Sequence, residues 1–265
     1  DLLNMRFAIL AALAFSAMAQ TKEDKEKYAD FADDMDHWGF TWEPIKVQTD
    51  DGWTLTTFHI TGKTGEEPVD RDEDLNPVLM MHGQGCDATT WVWPDPSLVN
   101  LPLPLHLFDS GFDIYMASNR GTKYCQEHAT LKPSEPEFWA FSWAEMGLYD
   151  DVANIKMVRD RTDKKVSYVG VSQGTVQMFY ALSKLEESFL KDNLYTFAAL
   201  DPCTIQSDEG ERIYREGLFH FEDYGVYVLG GPNWEEDEKT ICDNFDEEIC
   251  EYARGYAGGE PVTVQ

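Results

Sequence analysis

The sequence predicts an α/β protein: a mostly parallel sheet with helices on both faces and an N-terminal β-hairpin. Three observations carry this prediction. Four short runs, 77–81, 112–117, 166–169 and 195–200, are predominantly apolar rather than alternating, as in strands covered on both faces. Segments of helical period lie between them: 138–161, with Trp143, Met146, Val152, Ile155 and Val158 roughly on one face, and 175–189, with Met178, Leu182 and Leu185 on one stripe. Such alternation implies parallel strands with helical crossovers. Third, the run 166–169 leads straight into Gly170-Val171-Ser172-Gln173-Gly174, which reads as strand, sharp turn and helix with a serine at the turn.

The remaining elements follow in chain order. Residues 1–19 read as a secretory signal. Met5-Arg6 is the probable-start pattern of such a signal, the run 7–19 is too short to span a bilayer, and Ala17-Met18-Ala19 is an A-x-A cleavage site. Residues 21–36 are charged and mildly helical. Residues 42–47 and 53–60, separated by Asp50-Asp51-Gly52, read as a β-hairpin, and 62–76 as a polar, acidic loop. The α/β core is expected over 20–205. From 206 to 265 the pattern breaks down, 231–250 being rich in Asp and Glu without a clear period, and this region is read as a cap or lid.

Composition narrows the function. A formal charge of −28 over 265 residues argues against nucleic acid and against tight binding to anionic membranes. Secretion would permit disulfides. Of five cysteines, Cys242 and Cys250 are close enough for a local bridge, and Cys86, Cys125 and Cys203 have no obvious partner. No metal-ligand spacing, phosphate loop or dinucleotide fingerprint occurs, so no metal or cofactor is expected.

The chemistry centres on Ser172. Side chains at Gly170 and Gly174 would collide with neighbouring strand and helix, so the glycines allow the strained turn that lifts the serine to the sheet edge. His82-Gly83-Gln84-Gly85 ends an earlier strand. In α/β-hydrolases the oxyanion formed during acyl transfer is held by the N–H after the nucleophile, here Gln173, and by one from such an HG loop, here Gln84. His82 itself reads as a histidine that fixes the loop, with proton carrier as the alternative.

With these motifs the chain resembles the acid lipases, the family of gastric and lysosomal acid lipases. The resemblance rests on Trp38-Gly39-Phe40, "VQTDDGWTLTTFHI" (47–60), "VLMMHGQGCDATTWVW" (78–93), "GFDIYMASNRGTKYCQEH" (111–128), "FWAFSWAEMGLYDD" (138–151) and "VSYVGVSQGT" (166–175). It covers roughly 36–205. It implies an α/β-hydrolase with Ser172 as nucleophile, Gln84 and Gln173 as oxyanion donors, a cap over an apolar acyl pocket, and triacylglycerol, sterol ester or other carboxylic ester as substrate. It also implies a triad Asp and His on loops after the cap. No residue here aligns with either, so a C-terminal truncation with the last strands missing is expected, which would expose a sheet edge and favour aggregation.

Residues present could substitute. Asp201 closes the strand 195–200, where lipases of the pancreatic type carry their acid; a surface or capping Asp is the alternative. His220 is the one histidine after the nucleophile, in the aromatic segment "GLFHFEDYG", and is the alternative base or else a packed cap residue. His106 and His128 lie in loops and receive no role from the family pattern. Arg120 reads as a loop anchor, with a substrate clamp as the alternative, and Trp91 and Trp93 as core residues or acyl-pocket walls. The expectation is a secreted or lysosome-like luminal lipase or carboxylesterase acting through a serine acyl-enzyme, with no nucleic-acid partner and no stable membrane insertion. The alternative is a non-catalytic hydrolase-like protein that binds lipid or a partner.

Overall fold

The computed structural model describes residues 21–66, 71–94, 100–204, 228–229, 234–244, 247, 249–250 and 262–263. The signal at 1–19, His220 and most of the expected cap lie outside the described residues.

The chain opens with α1 (Lys22–Lys27) and α2 (Ala29–Trp38). Thr21 and Asp24 close a reciprocal capping box on α1, and Phe31, Ala32 and Met35 form the buried face of α2. Gly39, with φ 75°, ends α2 in the left-handed conformation that glycine adopts freely. The chain then enters the antiparallel hairpin of β1 (Phe40–Gln48) and β2 (Trp53–Lys63). Phe31 stacks on Phe58 at 3.9 Å between centroids, and Trp42 meets both rings edge-on, so the helix is sealed to the hairpin by aromatic burial.

The strands β3 (Val78–Met81), β4 (Ile114–Ala117), the two-residue β5 (Glu127–His128), β6 (Val166–Val171) and β7 (Leu194–Leu200) complete a seven-stranded sheet. Its order is β1-β2-β4-β3-β6-β7, with β5 pairing β2. The pairs β3–β4, β3–β6 and β6–β7 are parallel, and those made by β2 are antiparallel. This mixed, mostly parallel order with a hairpin at one side is the α/β-hydrolase fold. Helix α3 (Leu103–Asp109) precedes β4, α4 (Asp151–Thr162) precedes β6, and α5 (Gln173–Lys184) and α6 (Glu187–Asn193) precede β7. All residues of β3 and β4 are buried, which accounts for their unbroken apolar runs.

Three expectations are corrected. The span 138–161 is not one helix. It begins as a 3₁₀ turn at Pro136–Trp139, restarts at Trp143–Glu145 behind a Ser142–Glu145 capping box, and passes through a π-helical stretch, Met146–Asp150, before α4. Trp143 is accordingly exposed rather than on the buried stripe. The span 175–189 breaks at Leu185, whose extended backbone separates α5 from α6. The apparently aperiodic span 231–250 contains α7 (Trp234–Asn244), whose Glu and Lys are good helix formers even where apolar residues are few. Cys242 in α7 is disulfide-bonded to Cys250, while Cys86, Cys125 and Cys203 are free. Two short strands, β8 (Val228–Leu229) and β9 (Val262–Thr263), pair with each other. Among the described residues no helix is long and apolar enough to cross a membrane.

Candidate active site

Ser172 sits between the end of β6 and the start of α5 with φ 50° and ψ −115°, a conformation that side chains other than glycine rarely adopt. Its N–H donates to Leu200 O at 3.1 Å, tying the turn to the end of β7, and its carbonyl accepts from Thr175 N and Thr175 Oγ1 at 2.9 and 2.6 Å. The two flanking glycines are required by space. A Cβ on Gly170 would lie 2.5 Å from Gly174 O, and one on Gly174 would lie 2.7 Å from Met81 O and 2.8 Å from His82 O. Gly174 is thus the point where α5 touches the strand that carries the HG loop.

That loop lies against the serine: a Cβ on Gly83 would be 3.2 Å from Ser172 Cβ and 3.7 Å from Oγ. Gln84 and Gln173 line one small cleft together with His82, Gly83, Asn119, Arg120 and Met146. Gln173 Nε2 reaches Met146 Sδ at 3.2 Å, which turns its side chain toward the wall. A wider cleft, between β1 and α4 and lined by Lys46, Asp50, Tyr149, Lys156 and Asp160, is separate from this site.

His82 is 2% exposed. Its Nε2 accepts from Asn119 N at 3.0 Å, which places the ring proton on Nδ1, 2.7 Å from Gly83 O. Burial lowers its pKa below the usual imidazole value. Both nitrogens are occupied by main chain, so the ring is a neutral brace between the HG loop and the loop after β4.

Arg120 anchors that second loop. It is 2% exposed, its N–H and Nε donate to Asp150 at 2.9 Å each, and Nη1 and Nη2 reach Asp51 at 2.6 and 3.0 Å. Burial opposes its charge, but the two carboxylates override this and raise its pKa. Burial likewise pushes Asp150 upward against the pull of Arg120. The pair is a structural clamp with no exposed face for a substrate.

On the other side of the serine, Asp201 follows β7 with φ 48° and an exposed side chain, and no hydrogen bond joins its carboxylate to a histidine among the described residues. Among them the Ser172 hydroxyl has one hydrogen-bonding neighbour, Cys203 Sγ at 3.6 Å. Cys203 was not legible as a site residue, since nothing in "LDPCTIQ" marks which side chain returns to the serine. His128 accepts from Thr130 N and Leu131 N at 3.1 and 3.0 Å and so is a turn residue, and His106 lies in α3. Trp91 is buried in the core, whereas Trp93 is 68% exposed. Among the described residues no group of three or more His, Cys, Asp or Glu is placed to hold a metal ion.

Residues 31–94 match the family described as a partial alpha/beta-hydrolase lipase region. Human lysosomal acid lipase/cholesteryl ester hydrolase is 36% identical over 185 residues, covering 69% of this chain and 44% of that protein. The chain belongs to the acid lipase family. Lipase lipl-5 of Caenorhabditis elegans is 37% identical across 93% of this chain and 63% of its own length, and gastric triacylglycerol lipase of Bos taurus is 34% identical across 76% and 49%. The chain therefore spans about 42–63% of the length of the first relatives it matches. An esterase of Pyrococcus furiosus of known structure is similar at 12% identity and a TM-score of 0.42, over 84% of this chain and 66% of that one. The fold assignment here rests on strand order instead.

Proposed function

We propose that this acid lipase family member hydrolyses carboxylic esters of lipids, triacylglycerols or sterol esters, through an acyl-enzyme on Ser172. The single observation that carries the reading is the pairing of a positive-φ serine between β6 and α5 with the Gly83-Gln84 loop packed directly against it. In this reading Ser172 Oγ attacks the ester carbonyl, and the main-chain N–H groups of Gln84 and Gln173 hold the oxyanion. The alcohol leaves, and water then attacks the acyl-serine and releases the acid. The names of the lysosomal and gastric relatives support the substrate class and a secreted or luminal location.

Attack requires a base. Among the described residues none is a histidine in contact with Ser172, so the reading takes its base from outside them; His220 is the only histidine of this sequence downstream of the nucleophile. The acid is likewise taken from outside the described residues, with Asp201 at the end of β7 as the alternative. The test is hydrolysis of short- and long-chain nitrophenyl esters by the full-length protein. Turnover lost in Ser172→Ala supports the reading. Ester turnover that survives Ser172→Ala overturns it, and saturable lipid binding without turnover would favour the non-catalytic alternative.

A further inference from the structure

The nucleophile helix and the HG loop are joined beneath the surface by buried polar side chains that the chemistry above does not use. The chain of contacts starts at His82, which accepts from Asn119 N. Asn119 and Gln177 of α5 exchange two amide hydrogen bonds, each 3.1 Å. Gln177 Nε2 gives its second proton to Asp151 Oδ1 at 2.8 Å. Tyr168 Oη of β6 lies 3.0 Å from that same oxygen and 3.1 Å from Gly174 O, the carbonyl of the nucleophile turn. Each of these five side chains is at most 2% exposed.

Counting protons decides the state of Asp151. Tyr168 has one hydroxyl proton and two acceptors in reach. Asp151 Oδ2 is buried without a hydrogen-bond partner. The groups that face the carboxyl are Asp150 from the adjoining π-helical stretch, Tyr168 from β6 and the uncharged Gln177 from α5. Behind Gln177 stand Asn119 and the neutral His82, and the nearby cation Arg120 is committed to Asp150 and Asp51. A carboxylate here would keep a bare oxygen and no counter-charge in a dry interior. A carboxylic acid resolves the count. Oδ1–H donates to Tyr168 Oη, the Tyr168 proton goes to Gly174 O, Oδ1 still accepts from Gln177, and Oδ2 remains a bare carbonyl oxygen, a far cheaper orphan. Burial, reinforced by Asp150, raises the carboxyl well above its usual range.

We propose that Asp151 is held as the neutral acid in the folded protein and that its proton makes it a positioning residue, linking the nucleophile turn to the HG loop. The positioning role rests on the esterase reading of Ser172; the protonation state does not.

The test is made on full-length protein carrying carbon-13 aspartate carboxyls. At neutral pH, infrared difference spectra should contain a protonated-carboxyl stretch that vanishes in Asp151→Asn. Denaturant unfolding gives the second readout. A raised folded-state pKa stabilises fully below the unfolded aspartate pKa and is lost as pH rises toward the folded value. Wild type should therefore lose stability relative to Asp151→Asn as pH rises above the usual carboxylate range, and the difference between the two should stay constant below it. Absence of the band, or wild type gaining on Asn with rising pH, overturns the neutral acid. For positioning, fluorophosphonate labelling of Ser172 should fall on the order of a hundredfold in folded Asp151→Leu, which can neither donate to Tyr168 nor accept from Gln177. Equal labelling of wild type and folded Asp151→Leu overturns the link. If Leu does not fold, Tyr168→Phe replaces it: it should slow labelling, and unchanged labelling overturns the link. No Ser172 label in wild type would refute the esterase reading alone, since the band and the pH slope still judge Asp151.

Discussion

On the β3 side of Ser172 the buried groups are doubly held: His82 by two main-chain groups and Arg120 by two carboxylates, with Gly174 close against the Met81 and His82 carbonyls. On the β7 side the contacts thin out. β7 pairs with β6 alone among the described residues, Tyr195 and Leu200 on it are exposed, Asp201 has φ 48°, and Cys203 Sγ is the one group at the serine hydroxyl. The difference separates two tasks. In the proposed reaction, oxyanion stabilisation would depend on dipoles fixed in advance, and the β3 side is the more firmly held of the two. Proton transfer depends on a base reaching the hydroxyl, and the described β7 side holds no such group.

Four substitutions can break or sharpen this contrast. The largest effect is expected at Arg120. Arg120→Met leaves the fully buried Asp150 uncompensated and should cost about 3–5 kcal/mol in chemical denaturation; a loss no greater than that of a surface charge would show that the clamp is dispensable. Next is Gly174→Ala. Its Cβ would push the helix off Met81 and His82 carbonyls, and labelling of Ser172 should slow on the order of a hundredfold, whereas unchanged labelling would mean that the close approach does not set the geometry. The third test uses pH. Burial lowers the His82 pKa in the folded state, so its contribution is complete above the usual imidazole pKa and is lost as pH falls below that value. Wild type should lose stability on acidification through that range, and His82→Gln should lose less; parallel curves would contradict a neutral brace. The smallest effect is expected at Asp201, on the thin side. Asp201→Asn should change labelling by less than about threefold, while a drop near ten-thousandfold would make it the triad acid.

The sequence reading reached the β3 side further than its cause. Gly170, Ser172 and Gly174 are legible because a strained turn demands small residues at fixed offsets from one serine. Strands β3, β4 and β6 are legible because burial on both faces leaves little alternation, whereas β7, expected to be covered like them, lies at the end of the described strand order with no buried residue. The network under the turn is not legible. Asp151, Asn119 and Gln177 are ordinary surface-type residues in sequence, and only the crossing of α4, α5 and the loop after β4 turns them inward together. The π-helical stretch at Met146–Asp150 escapes for a related reason: its apolar spacing mimics a straight helix. Cys203 escapes because its position depends on the turn after β7, for which the local sequence carries no fixed template.

The central claim is that Ser172 is a nucleophile presented to a preformed oxyanion cleft. The most direct measurement is fluorophosphonate labelling of the full-length folded protein, with the adduct located by peptide mass spectrometry. The account predicts a single adduct on Ser172, absent from Ser172→Ala and from heat-unfolded protein. No adduct on the folded protein, or one that persists in Ser172→Ala, would contradict it.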